Sequence, residues 1–221
     1  MKIKALIAAR SGSTRVVNKN IRPFAGSTLL EVKIKQLQRI SNLDGIVVNS
    51  NDDEILEIAD RCGAETIRRD PYFASNSVLM NEVYCNMAEN MKDCDVIVYA
   101  NCTNPLINDK TIFDIIEFYK SHSNEYDSVN SAHLIKEFLF YHNKPVNYEL
   151  KNMPRSQDLP DYSALNFAVN VLSRETMISL KNVVGMTPYI YVIDEVEASD
   201  IDNQIDFDFS EFVYKKYYNQ K

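Results

Sequence analysis

The chain has 221 residues, 45% hydrophobic and 25% charged, enough for one globular domain with a substantial core. A net charge of −7 argues against a nucleic-acid-binding surface, which needs a basic face, though not against a single basic pocket. The short apolar run after Lys4 predicts no signal peptide and no membrane span. Four widely spaced cysteines (Cys62, Cys85, Cys94, Cys102) without a CxxC pair predict inert thiols in a reducing cytoplasm, with neither zinc nor disulfides.

Strand-like and helix-like stretches alternate along the chain. Lys4–Ala9 reads as a first strand. Thr28–Ile40 follows as a helix, with Leu29, Leu30, Ile34 and Leu37 at helical spacing. Gly45–Asn49 is the next strand, and Asp52 or Asp53 can cap a helix over Glu54–Arg61 that Cys62-Gly63 closes. Glu65–Arg68 is a short strand, Asn76–Met91 a helix and Asp95–Tyr99 a buried strand. Asp109 is expected to cap a helix running to Lys120, and Ser128–Ala132 is the strand after it. Apolar strands between helices predict a Rossmann-like, mostly parallel α/β sheet flanked by helices. The texture then changes. Glu137–Glu149 carries Phe138, Phe140, Tyr141 and Tyr148 around the turn signal His142-Asn143-Lys144-Pro145 and predicts a β-hairpin that leaves the sheet. Lys151–Tyr162 reads as a loop and Asn166–Leu172 as a strand. Ser173 caps a short helix, Tyr189–Ile193 is another strand, and Asn203–Tyr218 is a last helix. The expectation is a single domain over 1–221, with a hairpin and loop insertion at 136–155.

Two segments carry candidate chemistry. After the first strand comes Ala8-Ala9-Arg10-Ser11-Gly12-Ser13-Thr14-Arg15, then Asn18-Lys19-Asn20. Small residues let backbone N–H groups approach an anion, with three basic side chains close by, and in open α/β sheets ligands bind at such strand ends. The loop is neither a Walker A nor a GxGxxG motif, and a polar turn with solvated arginines is the competing reading. The second segment is Asp200-Ile201-Asp202. In extended chain residues two apart face the same side, so these carboxylates can converge on a Mg²⁺ ion that substrate phosphates also bind. The alternative is that one of them caps the following helix, with Asp206 and Asp208 in its first turn.

The stretch ARSGSTRVVNKNIRPFAGSTLLE resembles the opening of the acylneuraminate cytidylyltransferases, the enzymes that make CMP-activated sialic and related nonulosonic acids. ANCTNPL (Ala100–Leu106), PRSQDLPD (Pro154–Asp161) with Asn166-Phe167-Ala168, and SDIDNQIDF (Ser199–Phe207) match further family segments in order and spacing. The resemblance implies a nucleotidyltransferase that joins CMP from CTP to the anomeric hydroxyl of an acidic sugar and releases pyrophosphate, for surface polysaccharide or glycan biosynthesis. It implies that Ala9, Arg10, Ser11, Gly12, Ser13, Arg15, Lys19, Asn20, Arg69, Ser75 and Asn101 bind the nucleotide. Asn101, Thr103, Lys136, Arg155 and Asn166 would meet the sugar, and Asp200 and Asp202 would hold Mg²⁺. Arg10, Lys19 and the two aspartates are the implied catalytic set. Apart from the resemblance, Arg69 reads as a surface salt bridge and Lys136 as a solvated lysine. None of His122, His133 and His142 stands out as a base. By the same resemblance the hairpin reaches across a homodimer.

The chain departs from the family pattern at several positions. Thr14 replaces a usual lysine, Asn76 an aspartate, Asn101 a glutamine and Asn104 a serine. Ala164-Leu165 stands where an arginine is frequent, and Phe167 replaces a glycine. These changes bear on the acceptor more than on the nucleotide. The competing functions are a cytidylyltransferase for a Kdo-like or smaller polar sugar, a nucleotide-binding partner subunit without turnover, and a glycosyltransferase. The last usually carries a mid-sheet DxD, which is missing here.

Overall fold

The computed structural model describes residues 1–12 and 15–218. The first apolar run forms β1 (Ile3–Ala8), and after a loop come the two-residue strands β2 (Pro23–Phe24) and β3 (Ser27–Thr28). Thr28 ends β3 and caps α1 (Leu29–Gln38), its side chain accepting from the Glu31 N–H. Next are β4 (Gly45–Ser50) and α2 (Asp53–Arg61), where Asp52 rather than Asp53 is the cap. β5 (Glu65–Arg68) leads through a 3₁₀ turn at Pro71–Ala74 into α3 (Met80–Asn90). β6 (Val96–Ala100), α4 (Asp109–His122) and β7 (Ser128–Ile135) follow, then the short pair β8 (Phe140–Tyr141) and β9 (Lys144–Pro145). The chain ends with β10 (Tyr162–Ser173), α5 (Arg174–Leu180), β11 (Pro188–Val192) and α6 (Gln204–Tyr217).

Seven strands form one sheet in the order β11-β7-β10-β6-β1-β4-β5. β10 runs antiparallel to both neighbours and the other pairings are parallel, so the sheet is Rossmann-like and mostly parallel, as expected. Alternation along β1 feeds two cores. Ile3, Ala5 and Ile7 face α1 and α4, while Leu6 joins Val47, Ile97 and Tyr99 against α3 and α5. From β1 the chain moves outward to β4 and β5, then returns to place β6 on the other side. This reversal opens a crevice at the C-terminal ends of β1 and β6, where such sheets bind ligands.

Several expected boundaries shift. The helix expected from Asn76 begins only at Met80, because the chain first turns through 75–79 after the 3₁₀ segment Pro71–Ala74. β10 starts at Tyr162 inside the expected loop, because Tyr162–Leu165 pair antiparallel with Ala132–Ile135. The register then shifts between Leu165 and Asn170, with Phe167 at φ +55°, a conformation bulky residues rarely adopt. Asp109 is not a cap. Asn108 flanks α4 without a side-chain cap bond, and the Asp109 carboxylate instead accepts from Arg39 Nε (2.7 Å) and Gln36 Nε2 (3.1 Å). The hairpin turns on His142 and Asn143, both at positive φ, as tight two-residue turns require. Phe140 and Tyr141 stay exposed, whereas Phe138 is half-buried with its ring 5.0 Å from Tyr148. Among the described residues no helix is long and apolar enough to cross a membrane.

Candidate active site

The loop after β1 is tied at three points along the crevice. The Ala9 N–H donates to the Asn49 carbonyl (3.1 Å), Arg10 Nη1 to the Ala74 carbonyl (2.9 Å), and Ser11 pairs with Asn51 in both directions. Gly12 follows at φ +85°, a backbone conformation that suits glycine. Behind this loop lies a cleft of ≈ 230 Å³ lined by Arg10, Gly12, Arg15, Val16, Lys19, Asn76 and Asp202. A neighbouring cleft of ≈ 210 Å³ shares Arg10 and Asn76 and adds Arg69, Phe73, Ser75 and Val78. The first is basic apart from Asp202, which suits a polyphosphate, and the second mixes polar and apolar walls around one buried guanidinium. Ser13 and Thr14 lie outside the described residues.

The acidic segment is locked between two loops. Asp200-Ile201-Asp202 is not a strand, yet the expected alternation holds: Ile201 is fully buried and the two carboxylates face outward. The Ile201 N–H donates to the Thr103 carbonyl (2.9 Å), and its own carbonyl accepts from Lys19 Nζ. Asn104 Nδ2 donates to the Ser199 carbonyl (3.1 Å), and the Thr103 side chain hydrogen-bonds Asp200. Neither Asp200 nor Asp202 caps α6. Asn203 does so, accepting from the N–H groups of Ile205 and Asp206, while Asp206 accepts from the Asn203 and Asp202 N–H groups. Helix capping therefore leaves both carboxylates free for other work.

The electrostatics suit opposite charges meeting. Asp200 keeps contact with solvent, but the surrounding protein desolvates its carboxyl and raises its pKa. Thr103 and Lys19 oppose that rise, and Asp202 adds to it. Burial lowers the Lys19 pKa while Asp200 and Asp202 pull it back up. Asp202 lies 2.9 Å from Arg15 Nη2. Two carboxylates that repel each other, with hard oxygen donors, fit a divalent cation. No group of three or more His, Cys, Asp or Glu suited to a metal occurs among the described residues, so such a cation would draw its other ligands from substrate or water.

The remaining candidates divide. Arg69 is buried rather than a surface salt bridge: its Nε donates to Asn49 Oδ1 (2.6 Å), and burial lowers its pKa. Asn20 is buried, and its carbonyl accepts from the Leu30 N–H. Asn101 sits half-buried just past β6. Asn166 is buried on β10, its Oδ1 accepting from Ser131 Oγ (2.6 Å) and the Ala168 N–H (3.1 Å), while its Nδ2 has no partner among the described residues. Two basic candidates lie outside both clefts. Lys136 is not merely solvated: it binds Asp161 and the Leu159 carbonyl (2.7 Å) beside a separate cleft of ≈ 590 Å³ with His133 and Glu195. Arg155 pairs with Asp158 on an exposed loop. Asn49, Asn51 and the Asn203/Asp206 box were missed in the sequence. The readable signals were polar residues at the end of an apolar strand and an N-x-x-D spacing before a helix.

Comparison with known proteins places this geometry. The chain is 26% identical to the CMP-N,N′-diacetyllegionaminic acid synthase of Campylobacter jejuni, covering 96% of this chain and 94% of that protein. It is 28% identical to the pseudaminic acid cytidylyltransferase of the same species, over 97% of each. The fold superposes on that of CMP:2-keto-3-deoxy-manno-octonic acid synthetase, solved in complex with CTP, with a TM-score of 0.72 at 11% identity over 98% of this chain and 99% of that one. The family model of the cytidylyltransferases, enzymes that generally use a divalent metal, matches residues 4–195. With that match spanning most of its length, this chain belongs to the cytidylyltransferase family and is a nucleotidyltransferase.

Proposed function

We propose that the enzyme transfers CMP from CTP to the anomeric hydroxyl of a nonulosonic acid of the legionaminic or pseudaminic type. The observation that carries this reading is the meeting of Arg10, Arg15 and Lys19 with an uncapped Asp200–Asp202 pair at the crevice between β1 and β6. The sugar class is supported by near-full-length similarity to enzymes named for those two acids.

In this reading the ≈ 230 Å³ cleft receives the triphosphate and the Arg69 cleft receives the cytosine. Arg10, which lines both, holds the phosphates nearest the base, and Lys19 and Arg15 offset charge on the rest. Ala9, Ser11 and Gly12 shape the loop, with Asn20, Ser75 and Asn101 around the nucleoside. The acceptor hydroxyl oxygen attacks the α-phosphorus in line, its proton passes to solvent water, the bond from the α-phosphorus to the bridging oxygen breaks, and pyrophosphate leaves with that oxygen. Mg²⁺ held by Asp200 and Asp202 would supply charge neutralisation at the triphosphate. No histidine is placed to take the hydroxyl proton. His122 stacks on Phe118, His142 sits in the hairpin turn, and His133 lines the other cleft. Asn101, Thr103 and Asn166 orient the sugar, and Lys136 and Arg155 answer its carboxylate. The single domain 1–221 works as a cytoplasmic homodimer, with the 136–155 insertion part of the interface, because the hairpin exposes Phe140 and Tyr141.

A pyrophosphate-release screen of the four nucleoside triphosphates against keto-acid sugars tests the proposal. CTP with a nonulosonic acid should give turnover, and thermal shifts with magnesium should favour CTP. Equal shifts for CTP, UTP, ATP and GTP would remove the cytidylyl assignment.

A further inference from the structure

Arg69 is an unusual cation. It is 5% exposed, and the titratable groups acting on it are Tyr99 and Arg10, neither of them a carboxylate. A buried guanidinium without a counter-charge is costly and needs hydrogen-bond acceptors to replace water. Asn49 supplies two: its Oδ1 accepts from Nε (2.6 Å), and its backbone carbonyl accepts from Nη2 (3.1 Å). Met87 Sδ, 3.7 Å from Nη2, is a weak third. A guanidinium carries five N–H donors, so these bonds fix its plane and leave donors for the cleft it lines.

Asn49 itself is fully buried, and its Nδ2 has no partner among the described residues. A buried amide with an orphaned N–H is unfavourable, so leucine or valine would suit this strand position better for stability alone. Among the described residues its side chain hydrogen-bonds Arg69 alone. Its carbonyl also accepts from the Ala9 N–H, which joins the base of the phosphate-side loop to the guanidinium. Asn49 therefore couples the two clefts through one residue at the end of β4.

We infer that Asn49 is a positioning residue that holds the Arg69 guanidinium to read cytosine against uracil. The inference rests on reading the Arg69 cleft as the base pocket. Cytosine offers two adjacent acceptors, O2 and N3, to a pair of parallel donors, whereas uracil has an N–H at position 3. A fixed donor fork rejects that N–H; a guanidinium free to rotate can meet O2 alone and loses the distinction.

Dissociation constants for CTP and UTP, measured with magnesium by calorimetry and without any acceptor, test this. Asn49→Ala should lower the UTP/CTP ratio of dissociation constants by roughly tenfold, mainly through weaker CTP binding. Asn49→Asp keeps the acceptor at Nε and should retain the ratio. Asn130→Ala, a buried amide change on β7 away from both clefts, should lower stability without moving the ratio. If Asn49→Ala does not fold, Asn49→Ser gives the same comparison, because its hydroxyl is too short to reach Nε. Arg69→Ala separates the two ideas. A ratio that collapses in Arg69→Ala but holds in Asn49→Ala and Asn49→Ser overturns the role of Asn49. A ratio that survives Arg69→Ala overturns the base-pocket reading, and the inference with it.

Discussion

The two halves of the sheet differ in what their basic side chains are free to do. Around β1, β4 and β6, Arg10, Lys19 and Arg69 are fixed mainly by backbone or amide acceptors and line clefts or touch the acidic segment. Around β7 and β10, Lys136 and Arg155 are already engaged with Asp161 and Asp158. The first half turns Arg10, Lys19 and Arg69 toward clefts or the acidic segment and pairs Arg15 with Asp202, while the second ties both its cations to nearby carboxylates. On the proposed reading, one chain supplies all the cations that meet the triphosphate. On the same reading, Lys136 and Arg155 can meet the acceptor only if those pairs open or a partner copy rearranges them.

The strongest way to break this picture is at the acidic pair. Asp200→Asn and Asp202→Asn keep shape and hydrogen bonding but remove the charge that would hold magnesium. Losing about 3 to 5 kcal/mol of transition-state stabilisation should slow turnover by roughly a hundredfold to several thousandfold. Near-normal rates at low magnesium in both variants would defeat the metal assignment. Stability should move the other way for Asp200. Its folded pKa is raised, so the folded state binds that proton more tightly than the unfolded chain. The charged carboxylate therefore costs stability at neutral pH, and Asp200→Asn should melt slightly higher without metal. The difference should vanish below the ordinary carboxylate range.

The acceptor half gives smaller effects with a distinct signature. Lys136→Ala and Arg155→Ala should raise the KM for the sugar by about tenfold or more while the KM for CTP stays within about twofold. Equal rises in both constants would mean that the two halves are not separable. Replacing Phe140 and Tyr141 together by serine should give a monomer in light scattering that still binds CTP but turns over poorly. A wild-type protein that is monomeric and active at micromolar concentration would contradict the dimer. A monomeric variant with full activity would show that the acceptor site is complete within one chain.

What the sequence revealed follows the same divide. β1, β4 and β6 were readable because each is an apolar run ending at a polar loop; Ser173 was readable as a cap, and the α2 cap was narrowed to Asp52 or Asp53. The start of β10 was not, because Tyr162-Ser163-Ala164 is polar and Pro-flanked, and only its pairing with β7 makes it a strand. Arg69 looked like a surface cation because its burial comes from α3, whose Met87 reaches it from a distant part of the chain. Lys33 gave no signal. It occupies a core-facing position of α1, and only the loop after β6 decides that a lysine there is sealed from water.

That lysine extends the comparison into the core. Beneath the acceptor half the buried polar network is neutral: Ser128, Asn130 and Asn170 hydrogen-bond one another. Beneath the donor half, Lys33 is fully buried, its Nζ donating to Gln36 Oε1 (2.8 Å) and the Asn104 carbonyl (2.9 Å), and burial lowers its pKa to about 8. Between that value and the ordinary 10.5 of a lysine, the unfolded chain holds a proton that the folded protein has released. The unfolded state then binds more protons, so stability rises with pH across this window, and below it the desolvation cost stands in full. Lys33→Met removes the titration but leaves two acceptors unpaired, at a cost of about 1 to 3 kcal/mol each. At neutral pH that loss is largely offset by relief of the buried charge, on the order of 2 to 3 kcal/mol, so the variant should lie closer to wild type than at alkaline pH. Urea unfolding at about pH 7 and about pH 10 should show the deficit of Lys33→Met growing by on the order of 2 kcal/mol. Asn130→Ala, in the neutral network, should show the same deficit at both. A parallel pH response in the two variants would mean that Lys33 does not titrate in the folded core.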